Sequence, residues 1–299
     1  SGWAFGYIGG LVALLMMLGL FQATSSGNTM AGIAPLFGLD PATGGDTRIV
    51  GPLSAIWFAV FMIPFFIYTR DNTPTGAPRL LVKQSLQDLK NTLRGLPRHP
   101  SLLAYLGSSM FYRDALNGMY AFGGVYAVGV LGWSITQVGI FGIIALISGA
   151  LFCWIAGRVD QRVGPMPVIV FCVVVLAFVA LLIVMITPTS ILGIPIAEGS
   201  NAPDITFFIA GAVIGGAGGA LQASSRNMMT RQANPKRMTE AFGLYALSGK
   251  ATSFVAPALI ALTSELTGSQ RLGVSPVVGL FTIGLVLLIW VKPRGDFGK

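Results

Sequence analysis

Charge is what this 299-residue sequence has least of, since Lys, Arg, Asp and Glu make up only 10% of it, against roughly 25% in an ordinary soluble domain. A water-facing surface needs far more, which excludes a soluble enzyme. Histidine occurs once, as His99, and the 11 acids are scattered. No Ser–His–Asp set, paired carboxylates or metal-ligand cluster can be assembled from them, so no catalytic residue, metal or cofactor is expected. Cys153 and Cys172 are the only cysteines, and both lie inside apolar runs. That argues against a disulfide framework or a zinc site and leaves them as small packing residues.

What is abundant is apolar side chain, 54% of the residues, together with 39 glycines. Crossing a bilayer takes about 20 mostly apolar residues in a helix, because an unpaired amide in hydrocarbon costs several kcal/mol. Eight runs qualify: Trp3 to Thr24, Ile49 to Tyr68, Leu102 to Val130, Ser134 to Ala156, Met166 to Ile186, Ile205 to Ser224, Ala241 to Thr263 and Leu272 to Val291. The expected fold class is therefore all-α and integral to a membrane. The basic residues collect in alternate connections, at Arg70 to Arg98, Arg158 and Arg162, Arg226 to Arg237, and Lys292 to Lys299. Only Arg48 and Arg271 lie on the other side. Cytoplasmic loops carry the excess of Lys and Arg, so the net charge of +8 reports orientation rather than nucleic-acid binding, and both ends of the chain are expected in the cytoplasm of a cell bounded by its inner (plasma) membrane. Leu86, Leu89, Leu93 and Leu96 recur at helical spacing among basic residues, which predicts an amphipathic helix on the membrane surface within a linker over 70–100.

Ala4-Phe5-Gly6-Tyr7 in the first run is echoed by Ala241-Phe242-Gly243-Leu244-Tyr245 in the seventh, six spans later and on the same side. Agreement in side, position and spacing predicts a six-plus-six repeat, in which the first run is the fifth of an expected twelve. Residues 1–69 then close an N-terminal bundle, 70–100 link, and 101–299 form the C-terminal six-helix bundle. The runs from Ile49, Met166 and Leu272 carry no central charge and are expected to face lipid, the Met166 run on most sides. Gly2, Gly6 and Gly10, and Gly211, Gly215 and Gly219, form stripes that let helix backbones approach closely. The second stripe has no preceding strand and no Gly-Lys-Ser/Thr, so it is not a nucleotide loop.

Arg113, Asp114 and Lys250 stand out because they lie roughly 14 to 17 Å into their spans, near the bilayer middle. A charge there costs about 2.5 to 3.5 kcal/mol, so something polar must face it. Arg113, Asn117 and Tyr120 fall within about 60° on a helical wheel and could line a water-filled cavity. Arg and Lys suit a carboxylate or phosphate, which makes Arg113, Asn117, Tyr120 and Lys250 the candidate substrate-binding set. Asp114 is the candidate proton-coupling group. The rival reading is a transport-inactive scaffold or sensor, in which Asp114 pairs structurally with Lys250 or Arg113. A membrane enzyme would need acid or histidine clusters at a membrane face, and none is present.

Ser224-Ser-Arg226, the stretch from Glu240 through Tyr245 to Lys250, Pro257, and Leu266-Thr-Gly-Ser-Gln-Arg-Leu-Gly273 resemble a subfamily of the major facilitator superfamily. It holds bacterial "unknown major facilitator" permeases and fungal autophagy-related vacuolar amino-acid effluxers. Gly2-Trp-Ala-Phe-Gly-Tyr-Ile-Gly-Gly10 and Gly51-Pro-Leu-Ser-Ala-Ile-Trp57 are similar to its fifth and sixth helices, which extends the resemblance over essentially the whole chain and leaves out the family's first four helices. The resemblance implies a major facilitator fold of twelve helices in two bundles. It also implies an alternating-access permease or exporter of a small polar solute, amino acids or organic anions, working as a monomer in the lipid bilayer when full length, with protons as a candidate coupling ion. Asp114 and Lys250 fall on positions that look like the family's own Asp and Lys. Tyr112-Arg113-Asp114 stands where the family usually has Tyr-Asn-Asp. The loop from Gly157 to Gly164 resembles the superfamily's cytoplasmic gate motif. Aligned on those glycines, Gln161 takes the usual Asp place and Asp160 precedes it; Asp160, Gln161 and Arg162, with Arg226, are the expected gate.

Overall fold

A computed structural model describes residues 2–24, 26–69, 82–197 and 199–297. Their helices run in the order α1 (Gly2–Leu20), one-turn α2 (Gly45–Arg48), α3 (Val50–Tyr68), α4 (Val82–Gly95), α5 (Pro100–Leu131), α6 (Ile135–Val163), α7 (Pro165–Val184), α8 (Ala202–Gln232), α9 (Met238–Ala251), α10 (Val255–Thr267), short α11 (Gln270–Gly273) and α12 (Pro276–Leu287). Between α7 and α8 the chain makes a small antiparallel meander of β1 (Ile186–Thr187), β2 (Ser190–Ile191) and β3 (Ile194–Pro195), with Ile186 opposite Ile191 and Ser190 opposite Pro195.

Local chemistry sets several of these boundaries. Proline stands in the first turn of α5, α7, α8 and α12, where its missing N–H has no helical partner to lose. Gly132, at φ 70°, turns the chain out of α5 and returns its N–H to the Ala127 carbonyl. Two residues on, the Ser134 hydroxyl accepts from the Gln137 N–H while the Gln137 side chain accepts from the Ser134 N–H, a reciprocal cap that opens α6.

Among the described residues seven segments are long and apolar enough to cross a membrane, α2 with α3, α9 with α10, and α11 through Trp290 each counting as one. The eighth predicted run is α5. At 32 residues it is the longest helix among the described residues, about 48 Å, and its apolarity is lowered by Arg113, Asp114 and Asn117. The run predicted from Ala241 to Thr263 is broken between α9 and α10, at Thr252 to Phe254.

The described chain forms two compact units, Ser1–Leu11 with His99–Lys299, and Val12–Arg98. In the first, α6 packs along α8, α7 along α8, and α12 along α5 and α7. The glycine stripe of α8 makes the tightest of these seams. Gly215 meets the Ala145 backbone carbonyl of α6 where any Cβ would collide, and Gly211 and Gly219 lie against Phe141 and Cys153. The stripe on α1 has a different part, since of Gly2, Gly6 and Gly10 only Gly10 has a neighbour within van der Waals range, Leu146. At the far end of α8 the Trp133 indole N–H donates to Asp204 at 2.7 Å, among Phe141, Phe207 and Phe208. The expectation that α7 faces lipid on most sides is corrected by a buried face from Val168 to Ile183, opposite exposed Phe171 and Phe178.

In the second unit, buried Asp46 accepts the Ala23 N–H at 3.2 Å, and Ala23 pairs with Thr29 across a tight loop. No side chain of α3 is buried. The predicted surface helix is present as α4; its preceding linker, 70–81, and the side chains of Leu86 and Leu89 lie outside the described residues.

Candidate functional site

The helix that carries most of the predicted site, α5, is clamped on one side by tyrosines. Tyr105 and Tyr112 are fully buried and both reach Ser225 of α8: Tyr105 donates to its backbone carbonyl, and the Tyr112 hydroxyl lies 2.9 Å from Oγ. Burying two phenols is tolerable only with such partners, and each ties α5 to α8 by name rather than by shape alone. The Tyr105 ring also stacks on Tyr245 of α9, with centroids 6.2 Å apart.

Arg113 projects from the same stretch and is half-buried. Its guanidinium lies 4.2 Å from the centre of the Tyr245 ring and donates to the Tyr245 carbonyl at 2.9 Å. The space it fills belongs to Gly249, since a Cβ there would fall 2.5 Å from Cζ. Asn117, one turn on, is exposed, and Tyr120, a further turn on, is 41% exposed with its hydroxyl 3.3 Å from that of Tyr7 on α1. The predicted arc of Arg113, Asn117 and Tyr120 therefore exists as an open face of α5. Beside it, Tyr7, Met119, Tyr120, Val138, Phe141 and Ile214 border a mainly apolar cavity of about 430 Å³ among α1, α5, α6 and α8.

Asp114 points elsewhere. It is 2% exposed, and its Oδ2 accepts the backbone N–H of Ala256 at 2.7 Å, in the first turn of α10. Helix first turns leave amides unpaired, and a carboxylate supplied by a neighbouring helix caps them as well as a local one and lies favourably at the positive end of the helix dipole. Gly118, one turn along α5, lets α10 come this close: a Cβ there would sit 3.1 Å from that of Ala256. Oδ1 of Asp114 is buried and has no partner among the described residues.

Lys250 closes α9 and is exposed, and among the described residues its ammonium makes no hydrogen bond or ion pair. The predicted pairing of Asp114 with Lys250 or Arg113 is not formed. Among the described residues the ion pairs are Arg237–Glu240 and Lys292–Asp296, and neither includes a predicted site residue. The physical reason is that the Ala256 amide already occupies Asp114, while Arg113 is held by a π face and a carbonyl.

The expected gate residues form no charged link either. Asp160 is buried and accepts from Ser224 Oγ at 2.9 Å and Asn227 Nδ2 at 2.7 Å, so α6 is joined to α8 through neutral donors. Gln161 and Arg162 are exposed, and Arg226 stacks over the Trp3 ring at 4.4 Å. Residue-by-residue reading missed Tyr7, Tyr105, Tyr112, Ser225 and Tyr245. The signal for two of them was in view: the echoed tyrosines, Tyr7 and Tyr245, both end on α5, seven residues apart at Tyr120 and Arg113.

Residues 1–295 match the family described as "Vacuole effluxer Atg22 like". The "Uncharacterized MFS-type transporter YxiO" of Bacillus subtilis strain 168 is 23% identical over 80% of this chain and 52% of its own length. "Autophagy-related protein 22" of Cryptococcus neoformans strain JEC21 is 25% identical over 78% of this chain and 42% of its own length. The chain thus spans about half the length of the curated relatives it matches. Among the described residues seven helical segments are fit to cross a bilayer, and the family match covers residues 1–295: this multi-pass membrane protein belongs to the Atg22-like family, within the major facilitator type.

Proposed function

We propose that the full-length protein is an alternating-access permease or exporter of a small polar solute, amino-acid-like or anionic, in the plasma membrane, with both ends of this chain cytoplasmic. In this reading residues 1–69 end an N-terminal bundle, 70–100 link, 101–299 form the C-terminal bundle, and the molecule acts as a monomer. The observation that carries the proposal is the open face of Arg113, Asn117 and Tyr120 at the middle of a helix whose other face is buried, together with the exposed Lys250, whose ammonium is unpaired among the described residues. Uncompensated polar groups at that depth need water or a ligand opposite them. Arg113 is pre-positioned by Tyr245, so it offers the free edge of its guanidinium to a carboxylate without losing its footing. Lys250, with no rival partner, supplies the mobile charge.

Proton coupling falls to Asp114, because Oδ1 is buried and unbonded and a proton placed there breaks no existing hydrogen bond. The link of Asp160 to Ser224 and Asn227 is the proposed latch of the inner mouth, flanked by Gln161, Arg162 and Arg226. Lys250→Ala in the full-length protein should abolish uptake or efflux in vesicles while leaving membrane insertion intact; unchanged flux refutes its role. Asp114→Asn should lose accumulation driven by a pH gradient and keep solute exchange. Undiminished gradient-driven accumulation in that variant removes proton coupling from Asp114.

A further inference from the structure

Beside the proposed latch, the ends of α6 and α8 carry arginines that the transport reading does not use. A cavity of about 640 Å³ opens there, bordered by Trp154, Arg158, Asp160, Asn227 and Arg231. A neighbouring cavity of about 380 Å³ shares Thr230 and Arg231 with it and adds Arg294. Asp160 is the acid of the first cavity, and both of its oxygens are occupied by Ser224 and Asn227. Among the described residues no ion pair includes Arg158, Arg231 or Arg294. Arg158 and Arg231 therefore border one cavity and Arg294 its neighbour, beside a single carboxylate whose oxygens already accept from neutral donors.

Arg158 is held in place, and Arg231 lies against a tight turn. The Arg158 guanidinium lies on the Trp154 ring, 3.3 Å from its centre, which fixes the plane of the fork and leaves its N–H edge free. The Arg231 fork lies against Gly164, the positive-φ residue between α6 and α7, where a Cβ would fall 2.9 Å from Nη1. Fixed planar forks lose little freedom on binding and match the paired oxygens of a phosphate.

We propose that this cleft binds a phosphate group through Arg158 and Arg231, with Arg294 beside them. A tryptophan beside an arginine at the end of a membrane-spanning helix is the arrangement found at headgroup depth. Two sources of the same chemistry can reach it: the headgroup of an anionic phospholipid, and phosphate free in water.

The full 299-residue chain in detergent, offered equal amounts of phosphatidylglycerol and phosphatidylcholine with the same acyl chains, tests this by native mass spectrometry. Phosphatidylglycerol should be retained in preference, and Arg158→Gln with Arg231→Gln should lower that preference about tenfold. Arg48→Gln with Arg271→Gln removes the same charge away from the cleft and from the amphipathic helix and should leave it unchanged. The melting midpoint of the unmodified chain, with inorganic phosphate against chloride at matched ionic strength, gives a reading that does not depend on a variant folding. A lipid preference lost in the Arg158 and Arg231 variant, with no response to inorganic phosphate, assigns the site to a headgroup. A midpoint raised by inorganic phosphate in the unmodified chain and not in the Arg158 and Arg231 variant assigns it to phosphate in water. No preference and no raised midpoint, a preference that survives the double substitution, or an equal loss in the control pair overturns the proposal.

Discussion

α3 and α5 invert the usual relation between polarity and burial. α3 is apolar from Val50 to Tyr68, and among the described residues no neighbour buries its side chains, whereas α5 carries an arginine, an aspartate and an asparagine and buries fourteen residues. In water such an α3 would be the core and such an α5 the surface. In a bilayer, hydrocarbon accepts the α3 side chains at no cost, and the groups that must be kept from lipid are the polar ones. On α5 the polar residues are buried where a hydrogen-bonding partner meets them. Tyr105, Ser108, Tyr112 and Asp114 are buried because Ser225, Gly284 and Ala256 offer them partners.

Substitutions can break that contrast or sharpen it, read as unfolding free energy by detergent titration in lipid discs. The largest effect is expected at the seam behind α5: Gly215→Val drives a branched side chain into the Ala145 backbone and should cost about 3 kcal/mol or more. Next comes Asp114→Leu, which strands the Ala256 amide and should cost about 1 to 3 kcal/mol, while Asp114→Asn retains an acceptor and should recover most of it. Tyr105→Phe removes one buried donor and should cost about 1 kcal/mol. Phe58→Leu on α3, 67% exposed, should stay within about 0.5 kcal/mol. If Phe58→Leu proves as damaging as Asp114→Leu, the inversion described here fails.

The crossing segments were legible because twenty apolar residues in a row have few physical outcomes, and α5 was recognised despite its charges because the run continues on both sides of them. What could not be read was the direction of each polar side chain. Arg113 and Asp114 are neighbours in sequence, yet one turns to a tyrosine face and the other to the start of α10, since adjacent helical residues point about 100° apart and only packing decides what each meets. Coulomb attraction suggested Asp114 with Lys250; the backbone of Ala256 was the nearer claimant, and no sequence pattern gives an amide that position. The break before α10 had a sign in Pro257, which lacks the N–H an uninterrupted helix would use. For Asp160, the motif suggested a charged latch, whereas Ser224 and Asn227, three residues apart on α8, were the donors within reach.

The joint between α9 and α10 has a mechanical side. The amides of Thr252, Ser253 and Val255 reach back only two or three residues, and the Ala256 amide is moored to α5. Swinging α9 about this point therefore ruptures no full helical turn, and Asp114 serves as the fulcrum. Lys250 sits at the joint itself, two residues before Thr252, so a bend there would turn its ammonium about the pivot while the shaft of α10 stays docked.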